Sequence, residues 1–214
     1  MEITWYGQSC FRLADRGMAS VVTDPYDSTI VGYQTLKLKA DIVTVSHDDQ
    51  GHNYLKAVRS RYRLINTPGE YEIGGVFITA VQTNGRGDRA KKEKRNLLYV
   101  FDYESVTIAH LGNLSRVPSQ TEIEALGNVN VALVPVGSGG SLNAAKAAEV
   151  VSLIEPGIIV PMHYSTPDSK IELTSVDKFL KEMGVGKLET RPSLKLGRGS
   201  IPKESRVVLL SYER

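Results

Sequence analysis

Asp41-Ile42-Val43-Thr44-Val45-Ser46-His47-Asp48-Asp49-Gln50-Gly51-His52-Asn53 is the stretch on which the fold turns. It opens as an apolar run long enough for a buried strand and ends in two histidines and two carboxylates within six positions. The pattern predicts a strand that delivers ligand-type side chains to its C-terminal edge. Gln50-Gly51 marks a tight turn, and Leu55 and Val58, three apart, predict a helix opening at His52. Polar groups on a turn between a strand and a helix sit where metals and substrates are commonly held.

Outward from this stretch, composition sets the bounds. The chain has 214 residues, 41% of them hydrophobic, and a formal net charge of +2. A single domain over 1–214 with a sizeable core is expected, and nothing suggests disorder. A charge this near zero argues neither for nor against nucleic acid. The one cysteine, Cys10, leaves no intrachain disulfide and fits a reducing compartment; in an apolar strand it reads as buried rather than reactive. With no signal peptide and no apolar run near about 18 residues, a soluble cytoplasmic protein is expected.

Toward the N-terminus, 3–13 reads as two short strands joined around Gly7-Gln8, and 18–23 as a third strand closed by Asp24-Pro25. Residues 27–38 read as an irregular loop. Beyond the opening stretch, 62–66 and 76–81 are strands around the glycine-punctuated run 67–75. Further strands fall at 96–102 and 106–110, and a buried one at 130–136 leads into Gly137-Ser138-Gly139-Gly140, read as a loop lining the substrate side. Another buried strand, 158–164, runs into His163. Residues 118–127 form a short helix. The clearest helix is 141–154, with Leu142, Ala145, Ala148, Val151 and Ile154 on its apolar face. A last helix, 174–183, starts with Thr174 and Asp177 as a capping box, and strands follow at 187–189, 193–196 and 206–210.

Several of these segments resemble the metallo-β-lactamase superfamily, specifically its branch of zinc-dependent hydrolases of β-lactamase fold. The family's metal loop reads His-x-His-x-Asp-His after a buried strand; here it is His47-Asp48-Asp49-Gln50-Gly51-His52. The outer histidines match, Asp49 stands at the second histidine, and Gly51 stands at the aspartate. Asp24-Pro25-Tyr26 is similar to the family's Asp-Pro step, whose carboxylate buttresses the metal loop; a plain turn is the alternative. The run Pro68-Gly69-Glu70-Tyr71-Glu72-Ile73-Gly74-Gly75 is similar to a signature of the branch. Gln82-Thr83-Asn84-Gly85 falls where many members place a third metal histidine. Ala109-His110-Leu111-Gly112-Asn113-Leu114 resembles His-Leu-Gly-Asp-Leu, with Asn113 at the aspartate that bridges two metals. Ile159-Val160-Pro161-Met162-His163-Tyr164 matches the motif that supplies the last metal histidine.

The resemblance implies an α/β fold, a four-layer αββα sandwich of two facing sheets with helices outside. It also implies a hydrolase in which metal-activated water attacks a small ester, amide or phosphoester. His47, Asp49, His52 and His163 are the metal-ligand candidates, and Asp49 and Asn113 the candidate catalytic groups, with zinc, manganese or iron as the ion. An amide at Asn113 brings no charge to offset repulsion between two neighbouring cations, so one ion at most, or none, is expected. His110 reads as a packed strand histidine. The competing expectation is a member without catalysis that serves as a binding or scaffold protein, from the changes at Gly51, Asn113 and Thr83. A third, nucleic-acid processing, rests only on 86–95, whose local charge is +4. With no aromatics interleaved, that run reads better as a solvated surface loop. The expected partner is a small-molecule substrate, without membrane or nucleic acid, and with room for a homo-oligomer.

Overall fold

In the computed structural model, residues 1–83, 95–197 and 199–212 are described. The first half supplies β1 (Glu2–Gly7), β2 (Cys10–Ala14), β3 (Val21–Thr23), α1 (Ser28–Val31), β4 (Ile42–Thr44) and β5 (Arg63–Ile65). The middle supplies β6 (Gly69–Ile73), β7 (Val76–Gln82), β8 (Leu97–Asp102), β9 (Thr107–His110), α2 (Gln120–Glu124) and β10 (Val131–Pro135). After them come α3 (Ala144–Ile154), β11 (Ile158–Met162), α4 (Val176–Glu182), β12 (Thr190–Arg191), β13 (Leu194–Lys195), β14 (Arg206–Val207) and β15 (Leu209–Leu210).

These strands make two large sheets. One runs β13-β1-β2-β3-β4-β5 and the other β14-β11-β10-β9-β8-β7-β6, beside a two-stranded β12-β15 ribbon. Residues on β1 alternate in burial, so one of its faces meets the core, whereas β10 and β11 are buried at every position, as parallel strands covered on both sides must be. Trp5, Phe11, Leu13 and Ile42 from the first sheet meet Ile78, Tyr99, Phe101 and Leu133 from the second in the central core. The opposite faces of β3 and β4 put Val22 and Val43 in a separate cluster with Cys10, Tyr26, Val31, Tyr33 and Ala57. The expected two-sheet sandwich is therefore present. Its second sheet is covered by α3, which lies against α4 and β10, whereas Val31 of α1 packs with Val22 and Val43 on the outer face of the first.

The parallel strands decide where chemistry can sit. β3, β4 and β5 run parallel, as do β9, β10, β11 and β14, so their C-terminal ends gather at one edge of each sheet. Main-chain bonds stitch these edges together: His163 N donates to Gln8 O at 3.1 Å and Leu97 N to Ser46 O at 2.9 Å. Deeper in, the Tyr99 hydroxyl of the second sheet reaches Val45 O and Ile65 O of the first, at 2.8 and 2.9 Å.

Several local expectations are corrected. No α-helix opens at His52; Leu55–Ala57 is a single 3-10 turn and Val58 bridges to Leu38, so the three-residue spacing marked one turn only. The 67–75 run contains β6, which pairs with β7 as a hairpin. Residues 27–38 hold α1, capped by the Asp27 side chain on Thr29 N. α3 starts after its cap Asn143 rather than at Ser141, and its buried stripe is Ala144, Ala147, Val150 and Val151, while Ala145 is exposed. Ser175, not Thr174, caps α4 through Asp177 N. Residues 206–210 split between two sheets as β14 and β15, and 187–189 give way to β12, which starts at the next residue. Cys10 is fully buried, as its strand position predicted.

Candidate functional site

Asp24, leaving β3, is the fixed point of the site. It is buried with φ of 40°, a left-handed backbone that a side chain adopts only under constraint. Its carboxylate accepts from Ser46 N at 2.7 Å, Ser46 Oγ at 2.5 Å and His52 Nδ1 at 3.0 Å. Burial alone would raise its pKa, but the bonds from His52 and Ser46 and the nearby imidazole of His110 hold it below the usual carboxylate range. The loop after β4 is thus pinned at both its backbone and its second histidine.

Three imidazoles gather above this anchor. His47 and His52 lie edge to face with centroids 5.6 Å apart, and His52 and His163 lie 5.7 Å apart at 23°. Each ring has its Nδ1 committed: His47 to Arg95 O at 3.0 Å, His52 to Asp24, and His163 to Ser141 Oγ at 3.3 Å. A carbonyl or carboxylate oxygen can only accept, so in His47 and His52 the Nδ1 atom carries a proton and Nε2 is the atom left to present a lone pair to an ion. Ser141 donates its own proton to Ser138 O at 2.7 Å, so it too accepts from His163. Burial and the neighbouring His52 push the His163 pKa down to about 3, which keeps that ring neutral. This is the tautomer and orientation that metal-ligating histidines take from their outer partners.

The other candidates are placed differently. Asp49 is exposed, and its Oδ1 accepts from Gly51 N at 3.0 Å, closing the loop as an Asx turn. At Gly51 an added Cβ would stand 3.3 Å from Asp49 Oδ1 and 3.8 Å from Gln8 Nε2, so the Gln8 amide lies beside the place of the missing carboxylate. Asn113 is held by its backbone N on Asn96 Oδ1 at 2.8 Å, while its own Oδ1 is buried without a hydrogen-bond partner among the described residues. Gln8 Oε1 is a second such orphan. His110 spends both nitrogens, Nε2 on Ser9 O at 2.9 Å and Nδ1 on Gly112 N at 3.3 Å, as a packed strand histidine does. Thr83 is buried against Asn96. The basic run lies outside the described residues except for Arg95.

The donor set fits one borderline cation better than two. Neutral imidazoles with Nε2 lone pairs are zinc ligands, and the orphaned Asn113 Oδ1 has acceptor capacity left for a water donor. Two rings on one tetrahedral ion stand roughly 5 Å apart at ordinary metal-nitrogen distances, so the observed cluster is about half an ångström too open. In keeping with this, no three His, Cys, Asp or Glu side chains among the described residues are placed to hold an ion as they stand. A second ion finds no carboxylate at Gly51 or Asn113.

Sequence reading missed Gln8, Ser141 and Arg95. Gln8 left one signal: a glutamine at φ of 52° occupies a turn position that glycine or asparagine would fill at less cost. Arg95 was hidden at the end of a charge run. Beside it, a cavity of about 660 Å³ is lined by His47, Asp48, Asn66 and Arg95 together with apolar side chains.

Residues 2–163 match the model of a β-lactamase superfamily domain. A UPF0173 protein of Pyrococcus furiosus is 30% identical over 78% of this chain and 84% of its own length. A UPF0173 metal-dependent hydrolase of Thermoplasma acidophilum is 26% identical over 78% of this chain and 85% of its length. Among solved structures, a Thermotoga maritima protein classed as a zinc-dependent hydrolase of the metallo-β-lactamase superfamily superposes with a TM-score of 0.79. It is 35% identical, with 98% of this chain and 97% of that one covered. No helix among the described residues is long and apolar enough to cross a membrane.

Proposed function

The chain belongs to the β-lactamase superfamily, and from that premise we propose that it is a hydrolase working with at most one divalent ion on a small ester, amide or phosphoester. His47, His52 and His163 would hold the ion through Nε2; zinc and iron suit such imidazole donors, whereas manganese prefers oxygen. The observation that carries this reading is the commitment of all three Nδ1 atoms to fixed acceptors. When bound, the ion supplies Lewis acidity toward a carbonyl or phosphoryl oxygen and acidifies water. The protein does the rest. Asp24 locks the His52 tautomer, burial keeps the His163 ring neutral, and Asn113 Oδ1 would accept a hydrogen bond from an attacking water and orient it. Asp49 shapes the loop through its Oδ1.

Metal analysis of protein purified without a histidine tag tests this. About one ion per chain, lost in His52→Ala and His163→Ala together with hydrolysis of p-nitrophenyl esters or phosphoesters, is the expected result. A stoichiometry near zero that added zinc, manganese or iron does not raise would overturn it. A second reading, a binding protein of this fold without catalysis, is favoured by the open spacing of the imidazoles and the Asp49 turn. It predicts that metal-free protein and metal-loaded protein are equally inert.

A further inference from the structure

The cavity beside His47 has the makings of a subsite. Its volume, about 660 Å³, is that of a small-molecule site. Val45, Leu55 and Leu64 line one part of it, and Leu64 is 40% exposed, an apolar side chain in solvent that a bound ligand would cover. Arg95 brings the guanidinium. Its Nη2 donates to Asn66 O, which aims the fork, and among the described residues it forms no ion pair. Asp48 lines the same cavity, tied by its Oδ1 to Asn53 Nδ2 at 2.8 Å.

We propose that this cavity binds a monoanionic, carboxylate-bearing substrate, with its carboxylate on Arg95 and its apolar body against Val45, Leu55 and Leu64. Arginine pairs with planar carboxylates through two parallel N–H donors. The Asp48 carboxylate in the same cavity opposes a second negative charge, so a carboxylate is preferred to a phosphate dianion. Arg95 also links the subsite to the imidazoles: its carbonyl accepts from His47 Nδ1 while its side chain faces the cavity that His47 lines. One residue thereby sets both the ring and the anion that sits beside it. The proposal rests on the hydrolase reading only in calling the ligand a substrate; the binding itself needs no turnover.

Isothermal titration of the full-length protein with hexanoate, hexyl phosphate and hexanol tests it at equilibrium. Hexanoate should bind at least about tenfold tighter than hexanol, and tighter than hexyl phosphate at pH 8, where the phosphate is a dianion. Arg95→Gln should remove the preference over hexanol, and so should Leu64→Asp, which adds a charge at an exposed position and spares the core. Thermal unfolding near the parent value certifies each variant as folded. Equal affinity for hexanoate and hexanol, an unchanged preference in both variants, or tighter binding of the phosphate overturns the proposal. Loss of metal or of hydrolysis with hexanoate binding retained would count against the hydrolase reading alone.

Discussion

Asp24→Asn changes one atom at the centre of the site. The carboxylate accepts hydrogen bonds from Ser46 N, Ser46 Oγ and His52 Nδ1, all within 3.0 Å and all buried. An amide has one acceptor oxygen, and whichever way it is turned its NH2 group faces at least one of these donors. If the amide oxygen keeps Ser46 N, His52 must move its proton from Nδ1 to Nε2 to accept from the asparagine. The lone pair that would meet a metal is then gone. Two hydrogen bonds to a charged group are worth about 1.5–3 kcal/mol each, and the tautomer exchange recovers part, leaving a net loss of about 3 kcal/mol. For a chain of this size that lowers Tm by about 6–12 °C. Metal affinity should fall about 10–100-fold, the usual effect of removing the outer partner of a ligand histidine. Urea unfolding and competitive zinc titration read the two effects separately. Stability within about 0.5 kcal/mol of the parent would refute the account of Asp24 as anchor, and unchanged zinc affinity would refute the tautomer argument.

Three further outcomes follow from other contacts. Arg116 grips Glu122 through two bonds of 2.8 and 2.9 Å, and Ser119 N adds a third, which outweighs burial and holds the Glu122 carboxyl below its ordinary range. Because the folded pKa is depressed, this stabilisation is present above about pH 4.3 and disappears as pH falls through the folded value. Glu122→Gln should therefore cost about 1–2 kcal/mol in urea unfolding at pH 7 and progressively less as pH falls through the folded value. A Cβ on Gly137 would collide with His163 O and stand 2.6 Å from Tyr164 Cα, so Gly137→Ala should displace His163, with zinc affinity falling more than about tenfold in competitive titration. His110→Leu leaves Ser9 O and Gly112 N without their partner and should cost about 2–4 kcal/mol in thermal unfolding, while metal stoichiometry stays at the parent value.

Strand edges were the legible part of this chain. His47 and His163 each follow an apolar run, and a strand that ends in a polar residue announces both its length and its edge. The same logic found β8 to β11. Helix faces were harder, because Ser141 to Ile154 contains so many alanines that two neighbouring stripes look equally apolar; packing of Ala147 and Val150 against the sheet chose between them. The 3-10 turn at Leu55 shows the opposite limit, since a spacing of three fits one turn as well as the start of several. At the site, types of residue were readable and their partners were not. Nothing in the order of the chain says that Arg95 will hand its carbonyl to His47, or that Ser141 will turn its oxygen toward His163. Those are meetings across 48 and 22 positions, made by topology.

The floor of the site is a seam sewn by main-chain atoms. Gln8 O accepts a hydrogen bond from the His163 amide and another from the Trp5 indole, and Ser46 O accepts one from the Leu97 amide. None of those bonds depends on which side chain stands at position 51 or 113. The scaffold is in this sense indifferent to its own ligands: a carboxylate can be traded for a hydrogen atom or an amide there and the two halves remain fastened. Chemistry on such a frame is free to drift faster than shape.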